Sequence, residues 1–176
     1  METASAAKSA TQATNKSTSN QPKYEIVKEI GKGSFGKVSQ VRRTADGKLL
    51  VWKEINYGSM SEREKQLLVS EVNILRELRH PNITRYYDRV INKDHAKLYI
   101  VMEYCAGGDL ANMIRQRKKQ LRDSRNQDLN AYVPEETAWK ILSQLTLALL
   151  ECHMRKDGNK ILHRDLKPGN VFFDSD

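Results

Sequence analysis

An α+β fold is predicted by three features of this 176-residue sequence. Short alternating segments fill residues 24–104. One amphipathic stretch interrupts them at 61–78. A Gly-Gly joint at 107–108 then separates them from a region of helical periodicity. Together these give a five-stranded antiparallel sheet carrying one helix, followed by the beginning of a helical region that is incomplete.

The elements follow in order. Residues 1–22 are Ala, Ser, Thr, Gln, Asn and Lys without periodicity and read as a disordered leader. YEIVKEI (24–30) alternates as a strand does, and so does VSQVRR (38–43). Asp46-Gly47 is a turn signal, and LLVWKEI (49–55) completes a three-strand meander. Ser61 and Glu64 have the spacing of a capping box. After them Leu68, Val72, Leu75 and Leu78 form one apolar stripe, which His80-Pro81-Asn82 ends. ITRYYDRVI (83–91) and KLYIVMEY (97–104) read as two further strands. Residues 105–108 read as a flexible joint, DLANMIRQRK as a short helix, and 118–133 as a polar loop. Pro134 suits a first helical position. Beyond it Ala138, Ile141, Leu142, Leu145, Ala148, Leu149 and Cys152 make a long amphipathic helix. ILHRDLKPGNVFFDSD reads as a loop entering a strand.

Composition narrows the function classes. Apolar residues make up 39 % and charged residues 30 %, which suits a globular chain and excludes collagen-like and mucin-like ones. No apolar run approaches the roughly 20 residues of a membrane span, and the N-terminus lacks the apolar core of a secretory signal. Two cysteines, Cys105 and Cys152, make no disulfide framework, so a reducing compartment, cytoplasm or nucleus, is expected. The net charge of +8 is concentrated: 115–125 carries +5 and 1–23 carries +2. A nearly neutral remainder argues against a nucleic-acid binder. The basic cluster reads as a solvated loop able to contact acidic partners.

Three motifs carry chemistry. In Gly31-x-Gly33-x-x-Gly36-x-Val38, glycines let the backbone approach phosphate oxygens. A dinucleotide fold would place a helix after these glycines. Here a strand follows, which fits a hairpin lying over a nucleotide. The second motif is Lys53 on the third strand. Glu71, near the apolar stripe of the helix, is its natural partner, because a buried unpaired carboxylate is costly. The third, His163-Arg164-Asp165-Leu166-Lys167-Pro168-Gly169-Asn170, packs polar groups between Ile161-Leu162 and Val171-Phe172-Phe173. Asp165 can accept a proton, Lys167 can neutralise phosphoryl charge, and Asn170 offers Mg²⁺ the hard oxygen it prefers.

In this order the motifs resemble those of the eukaryotic protein kinases, from Tyr24 to the end of the chain. Asp165-x-Lys167-Pro168 is similar to serine/threonine kinases. LVWKEINYGSMSE, RELRHPNITRYYDR, LYIVMEYCAGGDL and LTLALLECH resemble the NIMA-related kinases, in particular their Nek2-like branch. The resemblance implies a kinase N-lobe over 23–104, then the hinge and a partial C-lobe through the catalytic loop over 105–176. It implies ATP and Mg²⁺ as cofactors and a protein Ser or Thr hydroxyl as acceptor, with no nucleic acid and no membrane among the partners. Gly31, Gly33, Gly36 and Val38 would cover ATP. Lys53, paired with Glu71, would hold its phosphates. Met102 would be the gatekeeper, the backbones of Glu103 and Cys105 would meet adenine, and Asp109 would lie near the ribose. Asp165 would be the catalytic base, Lys167 would stabilise the γ-phosphate, and Asn170 would bind Mg²⁺. Leu75, Tyr86 and His163 would form an apolar column between the lobes. Trp52 departs from the Ile of many kinases. The family's Asp-Phe-Gly is expected about a dozen residues beyond Asn170. The chain is therefore expected to be a fragment, inactive and aggregation-prone alone. The alternative reading is a non-catalytic nucleotide-binding or scaffolding module. By resemblance the locations are the centrosome, spindle pole or cilium, with a homodimer formed only through a tail outside this chain.

Overall fold

A computed structural model describes residues 23–33, 36–123, 132–155 and 157–174. The leader at 1–22 and the polar segment at 124–131 lie outside the described residues, as do residues 34 and 35 at the tip of the glycine motif. Five strands, β1 (Tyr24–Gly33), β2 (Gly36–Arg43), β3 (Leu49–Asn56), β4 (Tyr86–Asn92) and β5 (Lys97–Glu103), form one antiparallel sheet in the order β1-β2-β3-β5-β4. The β2–β3 turn closes as its Asp-Gly pair requires. Gly47 takes φ +71°, its amide donates to the Arg43 carbonyl at 2.8 Å, and Asp46 pairs with the Arg43 guanidinium.

The strand period of two divides the side chains between the sheet's two faces. On one face Tyr24, Val41, Leu50 and Val101 are buried, with Trp52, Tyr87 and Val90 packed against them. Trp52 stacks on Tyr99 at 4.6 Å between ring centres and meets Tyr24 edge-on at 6.3 Å. A large aromatic is therefore accommodated here as part of a cluster. The other face carries Ile55, Leu98 and Ile100, covered by helix α1 (Glu62–Glu77) through Val72, Leu68 and Leu75. Each fully buried side chain, Leu50 and Val72 among them, contributes about 1.5–3 kcal/mol. The capping box forms as the sequence predicts: the Glu64 amide donates to Ser61 Oγ at 3.3 Å and the Ser61 amide to Glu64 Oε2 at 2.7 Å. Past the helix end, His80 Nδ1 accepts the Asn82 amide at 3.1 Å.

The second region departs from expectation in three places. Gly108–Asp109 is a short strand, β6, paired antiparallel with β7 (Phe172–Phe173), so the joint is not free as far as residue 108. Helix α2 runs over Leu110–Asp123, well into the segment read as a loop. Its Arg, Lys, Gln and Leu residues are strong helix formers with no Gly or Pro among them. Helix α3 (Glu135–His153) begins one residue after Pro134, which stands at the cap instead of inside the first turn. Ala148 and Cys152 are buried and Ile141, Leu145 and Leu149 half-buried, whereas Ala138 and Leu142 of the same stripe are exposed. Just beyond α3, Arg155 donates to Glu77 of α1 at 2.9 Å and to Asp157 at 2.7 Å, tying the second region to the first.

Candidate active site

Sheet register assembles the first half of the site. Gly31 is opposite Val38, Val38 is opposite Lys53, and Lys53 is opposite Ile100, so these four lie in one row across β1, β2, β3 and β5. Opposed residues share a face, and this is the face that bears α1. One row over, Val51 is opposite Met102 and Met102 opposite Tyr86. The glycine motif is thus the end of a two-stranded ribbon, with Gly33 opposite Gly36. Gly36 has φ +143°, and a Cβ there would stand 1.9 Å from the Glu54 carbonyl oxygen, so only glycine fits. Gly31 has open space around it.

Lys53 is half-buried and engaged. Glu71 is exposed on α1, next to buried Val72. Burial therefore does not force a partner on Glu71, and the argument from a buried carboxylate does not hold for it. Tyr86, Leu75 and Met102 pack against the cluster beneath α1, while His163 is exposed.

The second half of the site is the loop at 163–170. Arg164 adopts φ +60°, outside the usual range for a side-chain-bearing residue. The turn is closed by the Asp165 amide donating to the His163 carbonyl at 2.8 Å. Lys167 Nζ reaches both oxygens of Asp165, at 2.9 and 2.8 Å. Asn170 Nδ2 donates to the Asp165 carbonyl at 2.7 Å and to its Oδ2 at 3.0 Å. Asn170 is placed for this by a 3-10 turn over Pro168–Asn170, with proline at its start. These donors favour the ionised carboxylate and lower the Asp165 pKa, Lys167 contributing most. Asp165 and Lys167 are exposed, at 65 % and 56 %, so the triad is open to a substrate. With Nδ2 used on Asp165, the Asn170 amide presents Oδ1 as its acceptor. Asn170 Oδ1 is a hard oxygen of the kind Mg²⁺ prefers.

Residues 103–110 run from the sheet to the segment that meets the Asp165 loop. The Glu103 amide donates to the Arg85 carbonyl at 2.9 Å, and the Arg85 amide to Glu103 Oε2 at 3.1 Å, which fixes the end of β5. Cys105 is half-buried, and that burial, with Glu103 and Asp174 nearby, raises its thiol pKa. Gly107 donates to the Phe173 carbonyl at 2.9 Å and Leu110 to that of Val171 at 2.9 Å, clamping the chain after the hinge onto the end of the Asp165 loop. Asp109 caps α2, its Oδ1 accepting the Asn112 amide at 2.8 Å. No sequence signal points to the clamp, since Gly107-Gly108 reads equally as slack. A depression of about 360 Å³ between Leu78, His80, Pro81, Ile83, Arg85 and Glu103 contains neither Lys53 nor Asp165 and is not this site.

A glycine-ended ribbon in register with a half-buried lysine, and a carboxylate held by Lys and Asn, are features expected of a protein kinase domain. The family described as "Protein kinase domain" matches residues 24–176, and the chain belongs to it. Its relatives are NIMA-related serine/threonine kinases. It is 57 % identical over 152 residues to serine/threonine-protein kinase Nek2 of Homo sapiens, covering 86 % of this chain and 32 % of that protein. It is 56 % identical over 151 residues to probable serine/threonine-protein kinase nek2 of Dictyostelium discoideum, covering 86 % and 34 %. To G2-specific protein kinase nimA of Emericella nidulans it is 44 % identical over 177 residues, covering 88 % and 24 %. The chain thus spans about a third or less of the length of these relatives.

Proposed function

We propose that the protein carrying this chain transfers the γ-phosphoryl group of ATP to Ser or Thr hydroxyls of proteins. The observation that carries this is the Asp165–Lys167–Asn170 triad. It is built on a loop clamped to the residues that follow the hinge. Phosphoryl transfer asks a protein mainly for positioning and charge neutralisation. The row Gly31–Val38–Lys53 supplies a backbone able to approach phosphates and a fixed cation for them. Met102, Glu103 and Cys105 line the path of the base, and Asp109 stands at its far end beside α2. Bound at Asn170, Mg²⁺ would neutralise phosphate charge. Asp165 has a lowered pKa and is a weak base, so its work is to accept a hydrogen bond from the hydroxyl and aim it. The proton is taken only as the new bond forms, and Lys167 offsets charge on the moving phosphoryl group.

The fungal relatives are named G2-specific. These names support a role in cell-cycle control, and the sequence, with two cysteines and no secretory signal, supports action in the cytoplasm or nucleus. Among the described residues no helix is long and apolar enough to cross a membrane. The test is phosphorylation of a Ser/Thr peptide by the full-length protein and by its Lys53→Met and Asp165→Asn variants. Each variant should lose on the order of 10³-fold or more in rate. Rates within threefold of the parent would refute the assigned roles.

A further inference from the structure

We infer that the exposed face of α2 is a docking surface for an acidic segment of a partner protein. Arg115, Lys118, Lys119 and Arg122 are spaced i, i+3, i+4 and i+7, which places all four on one side of the helix. All four are exposed, while Ile114, Arg117 and Leu121 on the other side are half-buried. Among the described residues none of the four forms an ion pair. The one contact shown for them is Arg115 Nη1 donating to Asn112 Oδ1 at 3.2 Å. The first turn of α2 contains no acid, and the cap carboxylate, Asp109, is committed to the Asn112 amide. Like charges at these spacings weaken a helix, and the helix dipole offsets this only at Arg122 in the last turn, so the stripe remains a local cost that no acid among the described residues relieves. An acidic ligand relieves it.

The stripe is about 10 Å long at 1.5 Å per residue, which matches about three residues of an extended chain. The occupant is therefore a short run of Asp and Glu. Nucleic acid fits less well, because α2 offers no aromatic side chain for a base to stack on. A lipid surface fits less well too, because the apolar residues of α2 face inward. The first turn of α2 is bonded to the end of the Asp165 loop, from the Leu110 amide to the Val171 carbonyl, so a partner held here is tethered to the part of the protein that bears Asp165. Docking does not depend on turnover, and it stands or falls separately from the catalytic reading.

The test is fluorescence polarisation of a labelled Gly-flanked octaglutamate peptide with the full-length protein, beside its octaglutamine analogue. Four exposed ion pairs of ordinary strength change affinity by at least about fourfold. The glutamate peptide should bind at least that much more tightly than the glutamine one, and weaken as salt rises. Replacing Arg115, Lys118, Lys119 and Arg122 together with Gln should remove the difference while helical circular dichroism is retained. Lys119→Glu alone should reduce it, should the fourfold variant not fold. Equal binding of the two peptides, or an unchanged preference in folded variants, overturns the proposal. So does a stripe-dependent loss of binding to a single-stranded oligonucleotide or to phosphatidylserine vesicles with none to the peptide.

Discussion

Replacing Gly107 with Ala tests whether the hinge and the catalytic loop move as one piece. A Cβ at Gly107 would stand 2.7 Å from both Phe173 Cβ and the Asp174 carbonyl oxygen, and 2.9 Å from the Phe173 oxygen. Two of these three atoms are backbone, so no flexible side-chain tip can move aside. The chain has two ways to respond. It can absorb the overpacking, at about 1–3 kcal/mol. Alternatively β6 can part from β7, which forfeits the bonds from Gly107 to Phe173 and from Leu110 to Val171, at about 1 kcal/mol each. Both routes lead to about 2 kcal/mol, or roughly 4–8 °C in Tm for a protein of this size. Gly169→Ala is the control, because nothing lies within 4 Å of its added carbon and its φ is unremarkable. Thermal unfolding should separate the two variants, and hydrogen exchange should show the Leu110 amide deprotected only in Gly107→Ala. A Gly107→Ala protein that melts with the parent and keeps Leu110 protected would show that the clamp has no energetic meaning.

Three further outcomes are expected. Gly36→Ala forces a Cβ onto the Glu54 carbonyl oxygen at 1.9 Å, so the glycine ribbon must shift; binding of a fluorescent ATP analogue should weaken by about tenfold or more, against little change for Gly31→Ala, and equal affinities would count against the ribbon as the phosphate cover. The Asp165 carboxyl, held below the ordinary 3.8 by Lys167 and Asn170, should titrate by NMR below that value and move back up in Lys167→Met; its contribution is present above 3.8 and lost as pH falls through the lower folded midpoint, and an unmoved midpoint would contradict the contact. Tyr24 is buried and donates to Asp88 at 2.9 Å, which pushes its pKa up to about 12; folded stability should be full below pH 10 and fall between about pH 10 and 12 as the unfolded phenol ionises, and Tyr24→Phe should flatten that alkaline limb.

The first region was legible in the sequence because its signals are local. Alternation gave the five strands, Asp46-Gly47 gave the turn, and Ser61 with Glu64 gave the helix start. HRDLKPGN announced the triad because its members sit within six residues, and a 3-10 turn is all that brings Asn170 back to Asp165. Features set by contacts across the fold were not legible. Gly107 is fixed by Phe173, 66 positions away in sequence, and a Gly-Gly pair says nothing about such a neighbour. The helical end of α2 was misread because charge was taken as a loop signal, although Arg, Lys and Gln favour helix. Glu71 is within about 60° of Leu68 and Leu75 around the helix axis, which makes it look part of the stripe, yet its carboxylate is exposed.

The clamp and the sheet together locate where the cleft can open. Glu103 is bonded to Arg85 and so belongs to the five-stranded sheet. Gly107 is bonded to Phe173 and so belongs to the catalytic loop. Only Tyr104, Cys105 and Ala106 lie between these two anchors, a shorter pivot than the four-residue joint its glycines suggest. A rotation at these residues would carry β6, α2 and the Asp165 loop together, because β6 is paired with β7 and Leu110 is bonded to Val171. It would leave the Asp165–Lys167–Asn170 contacts intact, because all three residues are on one loop. The Glu77–Arg155 pair joins α1 to the chain just beyond α3 at 2.9 Å and would resist such a rotation. On the proposed function the Asp165 triad would then be preassembled, leaving closure to bring phosphate and hydroxyl into line.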